Sequence, residues 1–317
     1  MTKVFIDGQE GTTGLSIARR LAGRTDITLL SIDESLRKDA QEKKRKMQEA
    51  DVTILCLPDE AAKEAAMLAE GTKTRILDAS TAHRTASGWA YGFPELSQAH
   101  REDIQKSSRV CVPGCHASGF VSLVYPLVNA GVLPRDYPIV CHSVTGYSGG
   151  GKKMIAQYEA AERSADFDSP RQYGITQTHK HLPEMQKACG LSDPPIFAPI
   201  VADFYSGMVV SVPLHTRLLK GAPGLKDVQA LYVAHYRGEK LVRVLPPSAQ
   251  EDIGGYLAAN TLAGKDVLEI MIGGNDSRLT LAARFDNLGK GASGAAVQCL
   301  NLMLGTPEYT GLTGLEE

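Results

Sequence analysis

The sequence predicts an α/β subunit: a Rossmann-type doubly wound parallel sheet joined to an α+β domain with a mixed or antiparallel sheet. Three observations carry this. From Lys3 to Ala79, strand-like apolar runs alternate with helical segments through short turns, the pattern of βαβ units. A glycine-rich turn closes the first strand and opens the first helix. Beyond Gly146 the alternation gives way to longer strand runs with few helices between them. A chain of 317 residues is also long enough for two cores.

Lys3 to Asp7 (KVFID) reads as the first strand, and Thr13 to Ala22 as a helix stopped by Gly23. Ile27 to Asp33 is the second strand, followed by a charged helix from Ser35 to Glu49. Val52 to Leu57 is apolar throughout, as in a strand buried on both faces. An alanine-rich helix capped by Asp59 precedes a fourth strand at Arg75 to Ala79. Arg109 to Val112 is a further strand, Ala117 to Asn129 a helix closed by Gly131, and Ile139 to Thr145 another strand. Then Met208 to His215, Leu241 to Leu245, Val267 to Ile272 and Leu279 to Phe285 read as strands of the second sheet, with a helix over Lys226 to Tyr236. The domain boundary is placed between Gly146 and Gly151. This gives a dinucleotide-binding domain over 1–146, completed by a C-terminal helical segment over 288–317. A catalytic, substrate and oligomerisation domain spans 147–287.

Composition excludes several function classes. A chain 43% apolar and 22% charged is balanced like a soluble globular protein. A net charge of −2 gives no basic field for nucleic acid or anionic lipid. The run Lys43 to Lys46 is bracketed by Glu42 and Glu49 and reads as a solvated helix face. No apolar stretch is long enough to cross a bilayer, and the N-terminus starts as a strand rather than a signal peptide, so a cytoplasmic protein is expected. The six cysteines form no CxxC pair, so free thiols are expected rather than disulfides or a zinc site.

The glycine turn is Gly8-Gln9-Glu10-Gly11-Thr12-Thr13-Gly14. Glycines let the backbone turn tightly and approach a pyrophosphate, whose charge is met by amides at a helix N-terminus. Gly8, Gly11, Thr12, Thr13 and Gly14 are therefore expected to hold a dinucleotide. After the second strand, Asp33 suits the ribose hydroxyl of NAD, whereas Ser31 with Arg37 suits the 2′-phosphate of NADP. NADP(H) is favoured, with Asp33 as a helix cap.

Cys115, in VPGCHAS, lies between a strand and an apolar helix. A helix N-terminus stabilises a thiolate, so this is the cysteine to expect as a nucleophile. Cys56, Cys111, Cys141 and Cys299 lie inside apolar runs and read as small core residues. His179 and His181 flank Lys180. If that segment is extended, both rings share one face. Such a pair can bind metal, but no third ligand is obvious, and no metal is expected. His116 and the remaining histidines read as structural or solvated.

The motifs DGQEGTTG, DASTAHR, YGFPEL, VPGCHASG, TGYSGGGKK, THKHLPEM and DNLGKGASGAAVQCLNLMLG run through the chain in this order. In order and spacing they resemble the N-acetyl-γ-glutamyl-phosphate reductase family, in its shorter form, from Phe5 to Gly305. The related aspartate-semialdehyde dehydrogenases usually carry asparagine where Gly114 stands. The resemblance implies NADPH-dependent reduction of N-acetyl-γ-glutamyl phosphate to N-acetylglutamate 5-semialdehyde through a thioester on Cys115, a step of arginine biosynthesis. It implies acid/base work by His181, with His179 second. Ser148, Gly149, Asn287 and Lys290 are implied near the cofactor, and Arg84, Ser118 and Glu184 near the substrate, Glu184 as an orienting carboxylate. The expected partners are a small-molecule substrate and phosphate, with no nucleic acid or membrane, in a homo-oligomer, dimer or tetramer. The alternatives are an aspartate-semialdehyde dehydrogenase-like reductase and a non-catalytic NADP-binding redox regulator, which would need neither the helix-N-terminal cysteine nor the histidine pair.

Overall fold

The computed structural model describes residues 1–315. The chain divides into two compact units, one of 1–113 with 292–312, the other of 114–291 with the short segment from Thr313 onward. The division falls after Pro113, ahead of the boundary near Gly146 that the sequence pattern suggests. The reason is strand Val140–Gly146, which pairs in the second sheet. The last two positions of the 288–317 segment lie outside the described residues.

The first unit contains β1 (Thr2–Asp7), α1 (Thr12–Leu21), β2 (Ile27–Leu30), α2 (Ala40–Glu49), β3 (Val52–Leu55), α3 (Asp59–Leu68), β4 (Arg75–Asp78), β5 (Ala90–Tyr91), α4 (Gln98–Lys106) and β6 (Arg109–Cys111). Its six strands lie in the order β2-β1-β3-β4-β6-β5, every neighbouring pair parallel. Alternation along β1 sends Val4 and Ile6 to one face, into a core with α1, Ile104 of α4 and the C-terminal helix Gly294–Leu304. Phe5 goes to the other face, with Met47 of α2 and Ala62, Ala65 and Ala66 of α3. Helices on both faces make the sheet doubly wound, as the sequence predicts. Several details differ from the sequence reading. Asp59 is the first residue of α3 rather than its cap, and its carboxylate accepts from Thr81 N at 3.0 Å instead; β5 and α4 are not anticipated by the sequence pattern. β2 ends at Leu30, and α2 begins at Ala40 rather than Ser35, because Asp39 caps it by accepting from Glu42 N at 2.8 Å.

The second unit contains α5 (Cys115–Asn129), β7 (Val140–Gly146), α6 (Gly151–Tyr158), β8 (Arg171–Gln172), α7 (Leu182–Cys189), β9 (Ile196–Ala202), β10 (Met208–His215), α8 (Leu225–His235), β11 (Val242–Val244), α9 (Ala249–Asp252), β12 (Leu268–Asn275) and β13 (Arg278–Phe285), after which the chain enters α10 (Gly294–Leu304) of the first unit. Its seven strands form one mixed sheet in the order β11-β12-β13-β10-β7-β9-β8. Helix α5 is apolar nearly all round and buried from His116 to Val124. It packs on β10 and β13. Gly119 makes the approach close, since a Cβ there would stand 2.4 Å from Val210 Cγ2.

Candidate active site

In the first unit, the site is the turn from β1 into α1. Gly8 has φ +85°, and a Cβ on it would meet the Cys56 carbonyl at 2.4 Å. A Cβ on Gly14 would meet the Gly8 carbonyl at 2.5 Å. These two glycines are demanded by the turn's own packing. Gly11 is different, with its nearest neighbour at 3.4 Å. Packing does not require glycine there, and a backbone without a side chain would suit close approach of a ligand. Gly11 is also the N-cap of α1, without a side-chain cap and with no acidic residue in the first turn. The amides of Thr12, Thr13 and Gly14 therefore meet no competing carboxylate from that turn, and the residues fit a dinucleotide pyrophosphate.

Behind the turn, Asp7 is buried and paired with Lys43 at 3.0 Å. Burial pushes its carboxyl up despite that pairing. Asp33 Oδ1 accepts from Ser35 N at 2.9 Å and from Ser35 Oγ at 2.5 Å, and these bonds hold its carboxyl below the usual range. It caps a short turn over Glu34–Leu36 rather than the charged helix expected from the sequence, which begins later under Asp39. Ser31 is exposed, and Arg37 is exposed with Glu34 at 3.5 Å. Arg84 donates from Nε to the Val112 carbonyl at 2.9 Å, which braces the strand end leading toward Cys115.

In the second unit, Cys115 is the first residue of α5 and is half-buried. The N-cap is Gly114, whose N–H donates to Glu184 Oε1 at 2.8 Å. Glu184, expected to orient a histidine, thus fastens the turn ahead of the thiol. Gly291 must remain small, since a Cβ there would lie 3.0 Å from Cys115 Cβ. No disulfide involves any of the six cysteines. Burial pushes the Cys56 thiol up to about 12 and holds Cys141 and Cys189 well above the usual thiol range. Those three are locked as neutral thiols. Cys115 alone opens a helix.

Five rings gather around it. His116 is buried, with Nδ1 2.7 Å from Ser143 Oγ and Nε2 2.7 Å from the Tyr173 hydroxyl. Burial, with His179 nearby, pushes its pKa down to about 3. Burial also raises the Tyr173 phenol, and the nearby Cys115 adds to the effect. The His179 and His181 rings lie 4.8 Å apart, and both stand within 5.7 Å of His116. Phe197 closes the group, edge-on to His116 and His179.

Alternation along a strand is not what unites the two histidines. The segment is a turn, and His181 is the residue before α7, with Leu182-Pro183-Glu184 forming that helix's first turn. His181 N–H donates to His179 Nδ1 at 3.2 Å. That nitrogen is therefore a lone-pair acceptor, and the neutral ring carries its proton on Nε2. Burial and Lys180 both lower the His179 pKa. The segment is held by Gln177, whose φ is +56° and whose amide accepts from Phe197 N at 2.9 Å and donates to Phe197 O at 2.8 Å.

Of the other residues expected here, Asn287 donates to Ser148 Oγ at 3.0 Å and accepts from Gly207 N at 2.8 Å. Asn287 therefore ties the Ser148-Gly149 loop to the start of β10. Lys290 is buried in a π-helical turn over Gly289–Ser293. Ser118 is fully buried within α5. Sequence reasoning left His116 structural and passed over Ser143, Tyr173 and Gln177. Only the neighbourhood of Cys115 singles out His116 in the sequence; the other three are isolated polar residues with no spacing to mark them.

The fold and the thiol site define an oxidoreductase of the semialdehyde dehydrogenase type with a nicotinamide-dinucleotide domain. Residues 3–106 match the model of the semialdehyde dehydrogenase NAD-binding domain, and residues 115–287 that of the semialdehyde dehydrogenase dimerisation domain. Aspartate semialdehyde dehydrogenase II from Vibrio cholerae superposes with a TM-score of 0.72 at 14% identity, over 96% of this chain and 98% of that one. The Francisella tularensis aspartate semialdehyde dehydrogenase gives 0.71 at 16%, over 96% and 100%. At such identity these structures speak for the fold alone.

The sequence relatives are more specific. N-acetyl-gamma-glutamyl-phosphate reductase 2 of a Nostoc species is 47% identical over 98% of this chain and 99% of its own. The Sinorhizobium medicae N-acetyl-gamma-glutamyl-phosphate reductase is 44% identical over 95% and 98%. The chain belongs to the N-acetyl-γ-glutamyl-phosphate reductase family. Among the described residues no helix is long and apolar enough to cross a membrane.

Proposed function

We propose that the chain reduces N-acetyl-γ-glutamyl phosphate to N-acetylglutamate 5-semialdehyde with release of phosphate, as a cytoplasmic step of arginine biosynthesis. The observation that carries this reading is Cys115 at the first position of α5 with two histidines of one turn gathered beside it. In this reading the Cys115 thiolate attacks the acyl carbon, the bond to phosphate oxygen breaks, and phosphate leaves behind a thioester. When bound in the first unit, NADPH supplies the hydride that brings this thioester to the aldehyde level. His181 takes the thiol proton before attack, lends it to the developing alkoxide, and recovers it as the hemithioacetal expels the thiolate. His179, a donor at Nε2, is assigned the substrate's distal carboxylate, and Arg84 an anionic group of the substrate. Tyr173 and His116 stay neutral behind the thiol and keep water and stray protons from that side.

NADP rather than NAD is supported by Asp33, whose Oδ1 is spent on Ser35, and by the exposure of Ser31 and Arg37. Arg37→Ala should weaken NADP by about 1.5–3 kcal/mol, the range for a hydrogen bond to a charged group, and leave NAD nearly unchanged. Titration with both cofactors checks this, and equal weakening of the two would return Asp33 to the ribose. The match to a dimerisation domain supports a homo-oligomer, dimer or tetramer.

The test of the whole reading is phosphate-dependent NADP reduction with N-acetylglutamate semialdehyde, run beside aspartate semialdehyde. Turnover with the first compound alone is expected. Preference for the second would move the chain to the sister activity, and no turnover with either would end the enzymatic reading.

A further inference from the structure

The turn that brings His179 and His181 together also sets them against His116, which arrives from a different element. One ring nitrogen from each of the three lies within 4.8 Å of the other two. Two of the rings are buried and the third is half-buried. A tetrahedral zinc ion bound at about 2.0–2.1 Å needs its nitrogens about 3.4 Å apart. Closure from 4.8 Å is thus a side-chain movement of about 1.4 Å at most. The surroundings suit ligation. Coordination through His116 Nε2 displaces the Tyr173 hydroxyl and leaves Nδ1 on Ser143 Oγ, the outer-shell bond that fixes a ligating imidazole. His179 Nδ1 already presents a lone pair, since it accepts the His181 amide, and at 3.2 Å that bond is long enough to yield.

We propose that His116, His179 and His181 form a three-imidazole site for a borderline divalent transition ion such as zinc. Three imidazoles on a four-coordinate ion leave one position to solvent. Imidazole without carboxylate selects zinc, cobalt or nickel over magnesium and calcium. The ion takes no part in the proposed reaction and occupies the His181 ring assigned to acid/base work, so the loaded protein is arrested until a chelator removes the ion. That consequence rests on the proposed function; the binding does not.

The test reads binding alone. Cobalt is titrated into the intact Cys115→Ser protein, where no thiolate is available, and followed by visible absorption. Intense tetrahedral d–d bands without a sulfur charge-transfer band are expected, saturating at one ion per chain and bleached by zinc. His179→Gln, a half-buried position whose fold circular dichroism can check, should weaken binding at least about tenfold, since even outer-shell losses cost 10–100-fold. Ser143→Ala should weaken it within that outer-shell range. The site is overturned if neither wild type nor Cys115→Ser binds cobalt at millimolar concentration. It is equally overturned if His179→Gln binds as before, which would place the ion elsewhere. Bands in wild type that vanish in Cys115→Ser would show a thiolate site and remove the three-imidazole one.

Discussion

At the scale of single residues, environment divides the six cysteines. Cys56, Cys141 and Cys189 are held protonated by burial, Cys111 and Cys299 are buried, and Cys115 alone stands half-buried at a helix start. Limiting alkylation should therefore label one site fast, and peptide mapping should find it at Cys115. Cys115→Ser should fold and bind NADP, yet lose turnover by orders of magnitude, because a serine hydroxyl lacks the thiol's acidity. Retention of more than about a tenth of the rate would remove the covalent mechanism. The histidines divide in a similar way. His181→Asn should abolish turnover and delete one limb of the pH–rate profile. His179→Asn, which removes an Nε2 donor, should raise KM more than it lowers kcat. Reversed phenotypes would exchange the two roles.

At the scale of elements, the first sheet was legible because its central strands are buried on both faces, so Val52 to Leu55 could only read one way. Strand β9 was not. Proline disfavours a strand interior, yet Pro199 lies inside it opposite Ser143. The strand tolerates it because the Pro199 carbonyl accepts from Tyr173, just beyond two-residue β8. Its missing N–H therefore faces the side where the ladder is already ending. β7 was found but put in the wrong sheet, since a strand's own alternation does not say which neighbours it pairs with. Cys115 and both histidines were legible as motifs. Their geometry was not, because a turn held by one glutamine has no periodicity. That glutamine gives a test. Gln177→Ala leaves both Phe197 backbone groups without their partner and a β-carbon at positive φ, and should cost about 1–3 kcal/mol. Gln177→Gly should recover up to about 1 kcal/mol of it through backbone freedom. Denaturant titration measures both, and an alanine variant as stable as wild type would show that the clamp contributes nothing.

At the scale of the whole molecule, the two units should answer acid differently, because the second buries His116 deeply, whereas His100 of the first, also lowered by burial, is only half-buried. His116 titrates near 3 when folded, against an ordinary 6.5, through burial first and His179 second. His179 is lowered too, by burial and by Lys180. A depressed histidine pKa means that the unfolded chain binds the proton more tightly than the folded one. For His116, stability is then fully present above pH 6.5 and is lost as pH falls from there toward 3, by up to about 1.4 kcal/mol per pH unit; His179 acts in the same direction. His116→Asn, whose amide can keep the Ser143 bond, should lower stability at neutral pH yet flatten this slope by about one proton. The measurement must see the second unit, and Trp89, the one tryptophan of the chain, lies in the first. Hydrogen exchange of α5 and β7 peptides by mass spectrometry, corrected for intrinsic rates and run with chelator present, isolates the second unit. Peptides of β1 and β3 serve as the internal reference, because the His116 substitution should leave their acid response as it is in wild type. An unchanged slope in α5 and β7 would mean that His116 takes up its proton without loss of packing, and that the bonds to Ser143 and Tyr173 survive its charging.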